Sequence, residues 1–400
     1  MALAAGVHGV NVDSAKEEGK SHVFGKAGAG VYRPHANAAH DSTPPPRLGK
    51  AGAGVLKQNG PGAGAAPPPR LGRDDHGVFR GEDAEAVAAK FARFVDEFDK
   101  RYASVEEYAE RLRAFAQTLR SMRAHDETHE VGLNKFSDWT EQEFAAFQKY
   151  QPSLKKHAPL THVKSKGALP TEVDWREQGL VADVKDQKSC GSCWTFSTVA
   201  SIEGAHAKRS GKLVTLSEQN LVDCVKKERL PLEEEDCCDG CDGGLMDNAF
   251  DYIISKQKGS IDTEASYPYR GEDDKCAFEA SSEGARIANW TDVPQGDELS
   301  LLDALATVGP ISVALDASRG WQTYAGGVMA PRTFLGCSSS PDKADHGVAV
   351  VGYGTDPIGG DYWIVRNSWS SSWGEGGYMR LKRGVNACGI ANHASYPTAK

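Results

Sequence analysis

The chain has 400 residues, 40% of them hydrophobic and 25% charged, with a net charge of −9. That hydrophobic fraction excludes a wholly disordered chain, the length excludes a small disulfide-stapled module, and the acidic balance argues against a nucleic-acid binder. No apolar run approaches the roughly 18 to 20 residues of a membrane span.

Residues 1–80 form a Gly/Pro/Ala-rich leader. In it Lys26–Val31 returns at Lys50–Val55, and Pro44–Gly49 returns at Pro67–Gly72. Such a segment cannot bury a core and reads as a disordered tail. Its opening, Met1 to Val10, has neither the basic n-region nor the long apolar h-region of a secretion signal. Over 84–150 the pattern turns helical, with Phe91, Phe94, Val95 and Phe98 on one stripe. Ser104 is the expected N-cap of a second helix, with Glu107 completing a capping box ahead of Tyr108, Leu112, Phe115, Leu119 and Met122. Residues 151–168 are polar and read as an exposed, cleavable linker. From 169 to 400 the composition is globular. A helix is expected from Cys193 to about Lys208, and alternation through Ile311–Leu315, Val348–Val350, Trp363–Val365 and Tyr378–Arg380 predicts hairpin strands. Helices first and antiparallel strands later give an α+β fold.

All nine cysteines lie between Cys190 and Cys388, and an odd number leaves one sulfur outside intramolecular bridges. The pairs Cys190/Cys193 and Cys238/Cys241 also have the spacing of zinc ligands, so the flanking residues must decide. Cys193 opens a predicted helix, where N–H groups and the helix dipole favour a thiolate. A thiolate nucleophile needs a base or imidazolium partner and an oriented ring. Residues of that kind occur in Asp345-His346-Gly347 and Asn367-Ser368-Trp369.

With Cys190-Gly-Ser-Cys193-Trp194 followed by His346 and Asn367, the chain resembles papain-like cysteine endopeptidases. Leu216–Cys224, Gly240–Asp247 and Gly352–Gly354 are similar to the cathepsin L branch. The resemblance runs from about Phe91 to Lys400. It implies a two-lobed fold, with a helical left lobe and an antiparallel, β-barrel-like right lobe, behind a mainly α prodomain. It implies that Cys193 attacks the scissile carbonyl beside an imidazolium of His346, and that Asn367 orients the ring under Trp369. Gln187 and the Cys193 backbone N–H would form the oxyanion hole. Gly243 and Gly244 would let a substrate strand approach. Leu245, Met246, Ala314, Ala344 and, at the base, His393 would line the S2 pocket, which predicts a hydrophobic P2 residue. His393 would either shorten that pocket or, when protonated, attract an acidic side chain.

The same resemblance implies disulfides Cys190–Cys241, Cys224–Cys276 and Cys337–Cys388, with Cys193 free, and the zinc reading gives way. Cys237 and Cys238 sit in an acidic insertion (Val225–Asp239) that it does not cover, leaving a vicinal bridge or swapped pairing with Cys241 open. Ahead of the enzyme, Glu107, Arg111 and Phe115 match the start of the family motif E-x3-R-x3-F-x2-N-x3-I-x3-N, while Thr118, Met122 and Asp126 replace its end. Gly132, Asn134, Phe136 and Asp138 complete G-x-N-x-F-x-D. An inhibitory prodomain is implied, cut near residues 167–169 and loosened as its carboxylates protonate in acid. Ser370 stands where the family commonly has glycine, and its small size predicts little effect. No His-rich occluding loop is apparent, which favours an endopeptidase. The expected partners are polypeptide substrates, the chain's own prodomain and cystatin-like inhibitors, for a monomer with no cofactor or metal. Asn289 heads a glycosylation sequon. The disulfides point to a lysosome, a vacuole or secretion, through a signal that is either upstream or unrecognised.

Overall fold

The computed structural model describes residues 84–125, 129–152, 158–226, 237–330 and 336–400. The repeated leader, Asp126 and the acidic run Glu233–Asp236 lie outside them. The first two helices, α1 (Ala84–Glu97) and α2 (Val105–Arg123), pack through Phe91, Phe94, Phe115 and Leu119. Ser104 caps α2 by accepting the Glu107 N–H at 3.1 Å, and the Glu107 carboxylate accepts the N–H of Ala103 at 2.6 Å. One orphan donor of the first turn is thereby satisfied, and because Glu107 reaches Ala103 rather than the Ser104 N–H, the expected capping box is not closed. Next come β1 (Glu130–Val131) and α3 (Glu141–Phe147), the latter opened by a full capping box of Thr140 and Glu143.

The remaining chain divides its apolar residues between two main clusters. In the first lobe, α4 (Cys193–Ser210), α5 (Glu218–Cys224) and α6 (Met246–Lys256) pack around Trp194, Ile202, Leu221, Phe250 and Trp290. Helix α4 is buried on most of its circumference and ends at Gly211, whose φ of 74° suits a residue without Cβ. The second lobe is built mainly on a ten-stranded, largely antiparallel sheet. Its central run joins β5 (Glu283–Asp292), β12 (His393–Ala399), β6 (Ile311–Leu315), β9 (His346–Asp356), β10 (Gly360–Arg366) and β11 (Tyr378–Lys382). Short strands flank it, with β3 (Val173–Asp174) on β9, β4 (Ser260–Asp262) on β5 and β8 (Val328–Met329) on β11. Within the central run, alternate residues of the five strands other than β5 meet Trp175, Leu305, Trp363 and Trp373 in the second core, whereas β5 turns Ala285, Ile287 and Trp290 toward the first. Helix α7 (Glu298–Val308) covers part of that core.

The prodomain is welded to this lobe. β1 pairs antiparallel with β7 (Tyr324–Gly326), and Phe136, Phe144 and Phe147 belong to the same apolar cluster as Trp321, Trp369 and Trp373. Residues 158–165, expected to be a loop, instead contribute a short strand, β2 (Leu160–Thr161), parallel to β5. The sheet edge supplies the order there, since the two residues have no partner of their own in the linker. Ser370 also departs from expectation. Its φ is +73°, so the constraint at this position is backbone handedness rather than side-chain size.

Candidate active site

Cys193 is the first residue of α4, fully buried and the free cysteine among the described residues. What buries it is the prodomain. The chain crosses at Lys149, over two glycines that leave room for it. A Cβ on Gly243 would lie 2.3 Å from the Lys149 carbonyl, and one on Gly191 would lie 2.4 Å from its side chain. Gly243 therefore does permit a close approach of extended chain. Gly244 is needed for a different reason, because a Cβ there would strike the Trp194 ring at 2.5 Å.

His346 begins β9 on the opposite lobe. The following residue, Gly347, abuts the start of α4, where an added Cβ would be 3.3 Å from the Cys193 carbonyl. The His346 Nε2–H donates to Asn367 Oδ1 at 2.9 Å, and the ring stacks on Trp369 with centroids 4.7 Å apart. Nδ1 is buried without a hydrogen-bond partner, which makes it the nitrogen available to a reacting group. Asn367 Oδ1 also accepts the Ser368 N–H at 2.8 Å, which locks the amide. Gln187 is held on both sides of its amide. Its Oε1 accepts the Ser368 hydroxyl at 2.6 Å, and its Nε2 donates to the Cys190 carbonyl at 3.0 Å.

The electrostatics differ from the thiolate–imidazolium pair implied by the family resemblance. Burial pushes the Cys193 thiol up to about 11, against hydrogen bonds from the backbone of Gly347 and Lys149. Burial pushes the His346 imidazole down to about 4, against its bond to Asn367. Under the prodomain both groups are neutral at ordinary pH, because a dry site penalises both charges.

Leu245, Met246, Ala314 and Ala344 belong to one large apolar cluster, to which Tyr150 of the prodomain also belongs. His393, on β12 opposite Ala314, meets the Tyr150 ring edge-on with centroids 5.6 Å apart. Its Nε2–H donates to the Pro341 carbonyl at 2.8 Å. The Tyr150 N–H donates to the Asp345 carbonyl at 2.9 Å, so main chain and side chain are both engaged. Tyr150 was missed by sequence reasoning. A single aromatic at the end of the prodomain carries no periodicity, and its only signal is its place after Phe144 and Phe147. Ser368, which holds both Gln187 and Asn367, was missed for the same reason.

Beyond the cleft, Phe136 and Phe144 stand edge-on to Trp369 at 5.2 and 5.4 Å. Asp138 is buried, accepting hydrogen bonds from Lys100 and Tyr102 at 2.8 Å each, while Arg111 pairs with Glu143 at 2.8 Å. The structure joins Cys190 to Cys241, Cys224 to Cys276 and Cys337 to Cys388, and it joins the adjacent Cys237 and Cys238. Asn289 is half-buried in β5, next to Trp290 and Thr291, which are buried. No helix among the described residues is long and apolar enough to cross a membrane.

Residues 169–398 match the papain family cysteine protease domain, and residues 91–144 match the cathepsin propeptide inhibitor domain. The chain is 43% identical over 321 residues to cathepsin L of Sarcophaga peregrina, spanning 75% of this chain and 89% of that protein. It is likewise 43% identical over 326 residues to a cathepsin L-like protein of Caenorhabditis elegans, spanning 78% and 92%. Among solved structures, digestive procathepsin L 3 from the larval midgut of Tenebrio molitor superposes with a TM-score of 0.68 at 39% identity. That alignment covers 78% of this chain and 98% of the other. The chain belongs to the papain family of cysteine proteases. Within it the protein is a cathepsin L-like hydrolase that carries its own propeptide inhibitor domain.

Proposed function

We propose that the protein is a thiol endopeptidase made as a zymogen, acting through Cys193, His346, Asn367 and Gln187 on peptides with a hydrophobic, including aromatic, P2 residue. The observation that carries this reading is the buried His346–Asn367 bond beneath Trp369, set across from the free Cys193. In the zymogen the dry cleft keeps thiol and imidazole neutral. Departure of Lys149 and Tyr150 admits water, and the thiol proton can then pass to His346 Nδ1, leaving a thiolate at the helix N-terminus. The Cys193 Sγ attacks the scissile carbonyl carbon. The resulting oxyanion takes hydrogen bonds from the Cys193 N–H and the Gln187 Nε2 hydrogen not used by Cys190. His346 gives its proton to the leaving amine as the C–N bond breaks, which leaves a thioester. Water, deprotonated by His346, then attacks that thioester and restores the thiol.

Tyr150 supports the P2 assignment, because it shares the apolar cluster of Leu245, Met246, Ala314 and Ala344 and meets His393 edge-on. Under this reading residues 1–80 are a leader, 84–150 the inhibitor, 151–168 the linker and 169–400 the peptidase. Maturation falls near 167–169, where Gly167 and Ala168 are exposed and nothing crowds Gly167. Passage through a secretory or lysosomal route, glycosylation at Asn289, a monomeric state and inhibition by cystatin-like proteins belong to the same proposal. The test is hydrolysis of a fluorogenic peptide with Leu or Phe at P2 after acid activation. Wild type should cut it, a thiol alkylator should stop it, and Cys193→Ala should be inert. No cleavage by a correctly processed, folded wild type would reject the reading.

A further inference from the structure

Removing the linker uncovers the sheet edge that the linker occupies in the zymogen. There β2 lies beside β5, with the His162 N–H donating to the Asp292 carbonyl at 2.7 Å and the Ala158 N–H to the Asp292 carboxylate at 2.9 Å. The His162 ring is bonded at both nitrogens. The Tyr396 hydroxyl donates to Nδ1 at 2.9 Å, and Nε2–H donates to Asp303 Oδ1 at 3.0 Å. The other Asp303 oxygen accepts the Ser165 N–H at 3.0 Å and the Ser165 hydroxyl at 2.7 Å. Lys164 reaches Asp297 at 3.3 Å. Asp303, on the buried side of α7, is only 4% exposed with the linker in place, so in the zymogen it is an enclosed carboxylate. Its bonds to Ser165 and His162 hold it below the ordinary carboxylate range in spite of its burial. Loss of residues 158–165 takes those partners from Asp303 and opens the backbone edge of β5.

We propose that in the mature enzyme the β5 edge, with Asp303 and Tyr396, is an exosite for an extended polypeptide segment. The segment adds as a strand and is selected by a histidine three residues before a serine or threonine, with a basic residue just ahead of the hydroxyl. The linker's own His162-Val-Lys164-Ser165 is the template, and the basic character follows from the facing Asp297 and Asp303. Backbone pairing supplies affinity and the Asp303 pocket supplies selectivity. A protein substrate carrying such a segment is held at two places and reaches the cleft at a raised effective concentration. The inference rests on the reading above that the linker is removed at maturation.

The experiment uses the mature enzyme with its cleft blocked by a thiol alkylator, and a labelled peptide of residues 158–166 followed by fluorescence anisotropy. Saturable binding is expected. It should weaken roughly tenfold or more when the peptide histidine becomes alanine, or when the enzyme carries Asp303→Asn. The peptide substitution leaves the enzyme untouched, so a folding defect in the variant cannot decide the result. Absence of binding, equal binding of the alanine peptide, or binding only to unblocked enzyme would each overturn the exosite. Failure of the proteolytic reading would appear separately, as no hydrolysis of the short fluorogenic peptide by wild type.

Discussion

Ser370 holds a left-handed backbone conformation that an L-residue adopts at a cost of roughly 1–2 kcal/mol. Glycine would relieve that strain but gain freedom in the unfolded chain, offsetting about 0.5–1 kcal/mol. Ser370→Gly should therefore raise stability by about 0.5–1 kcal/mol, read as a higher denaturant midpoint, with peptide hydrolysis unchanged. His393 is the second informative single residue. Its Nε2–H is already bonded to the Pro341 carbonyl, and its ring bounds the Tyr150 pocket. It acts as a wall, and shortening that wall should admit larger side chains. For His393→Ala, kcat/KM for P2 Trp relative to P2 Val should rise about tenfold, the scale that pocket volume commands.

At the scale of elements, the clasp of β1 on β7 contains its own acid response. His129 precedes β1, buried against Tyr324 and the Gly327 turn, with the His125 ring 4.4 Å away and Glu130 and Glu375 flanking Gly326. Burial first, and His125 second, hold its imidazole down to about 3. A released prodomain would titrate this histidine near 6.5, so below that pH the free form binds a proton the docked form refuses. Docking is then strongest above about pH 6.5 and weakens progressively as pH falls toward about 3. Glu143 works in the same sense within the prodomain. Although burial opposes it, hydrogen bonds from Arg111 and Thr140 hold its carboxyl below the ordinary range, and that contribution is lost as pH drops through it. Zymogen processing should accelerate from about pH 7 to about pH 5, and His129→Phe should flatten that profile by keeping the clasp closed. The helices around this clasp were legible in the sequence, because apolar stripes and the Ser104 cap are local signals. β1 and β2 were not, since a two-residue strand exists only through the edge it joins and leaves no period of its own.

Over the whole molecule, a buried ionic chain ties the lobes together behind the cleft. Lys185 bonds Glu218 at 2.7 Å and Glu203 at 3.2 Å, and Glu203 in turn faces Arg366 at 3.5 Å. Glu203 rides on the helix that begins with Cys193, and Arg366 directly precedes Asn367. Glu203→Ala should destabilise the protein by about 3–5 kcal/mol, measured by denaturant unfolding, because it strands buried positive charge. Burial raises the Glu218 carboxyl despite Lys185, and lifts that of Asp262 to about 6. Acids raised in this way favour the folded state at low pH and withdraw that support as pH climbs through their folded values. The mature enzyme should accordingly unfold at lower denaturant at about pH 8 than at about pH 5. Acid thus loosens the inhibitor while it steadies the peptidase. The residues of the candidate site could be picked out because Cys193, Gln187, His346 and Asn367 sit in short distinctive runs. The neutral state of the Cys193–His346 pair was not, since it depends on what covers them, and neither the Lys149 crossing nor the Tyr150 insertion has a sequence signature.

Trp369 serves both partners at once. It roofs the His346–Asn367 bond, and it is also the surface on which Phe136 and Phe144 rest. A change at this one position cannot weaken self-restraint while sparing the proposed catalytic pair. Heritable adjustment of how tightly the precursor is kept silent is therefore channelled into the inhibitor's aromatic residues, which are discarded at maturation and answer to no substrate.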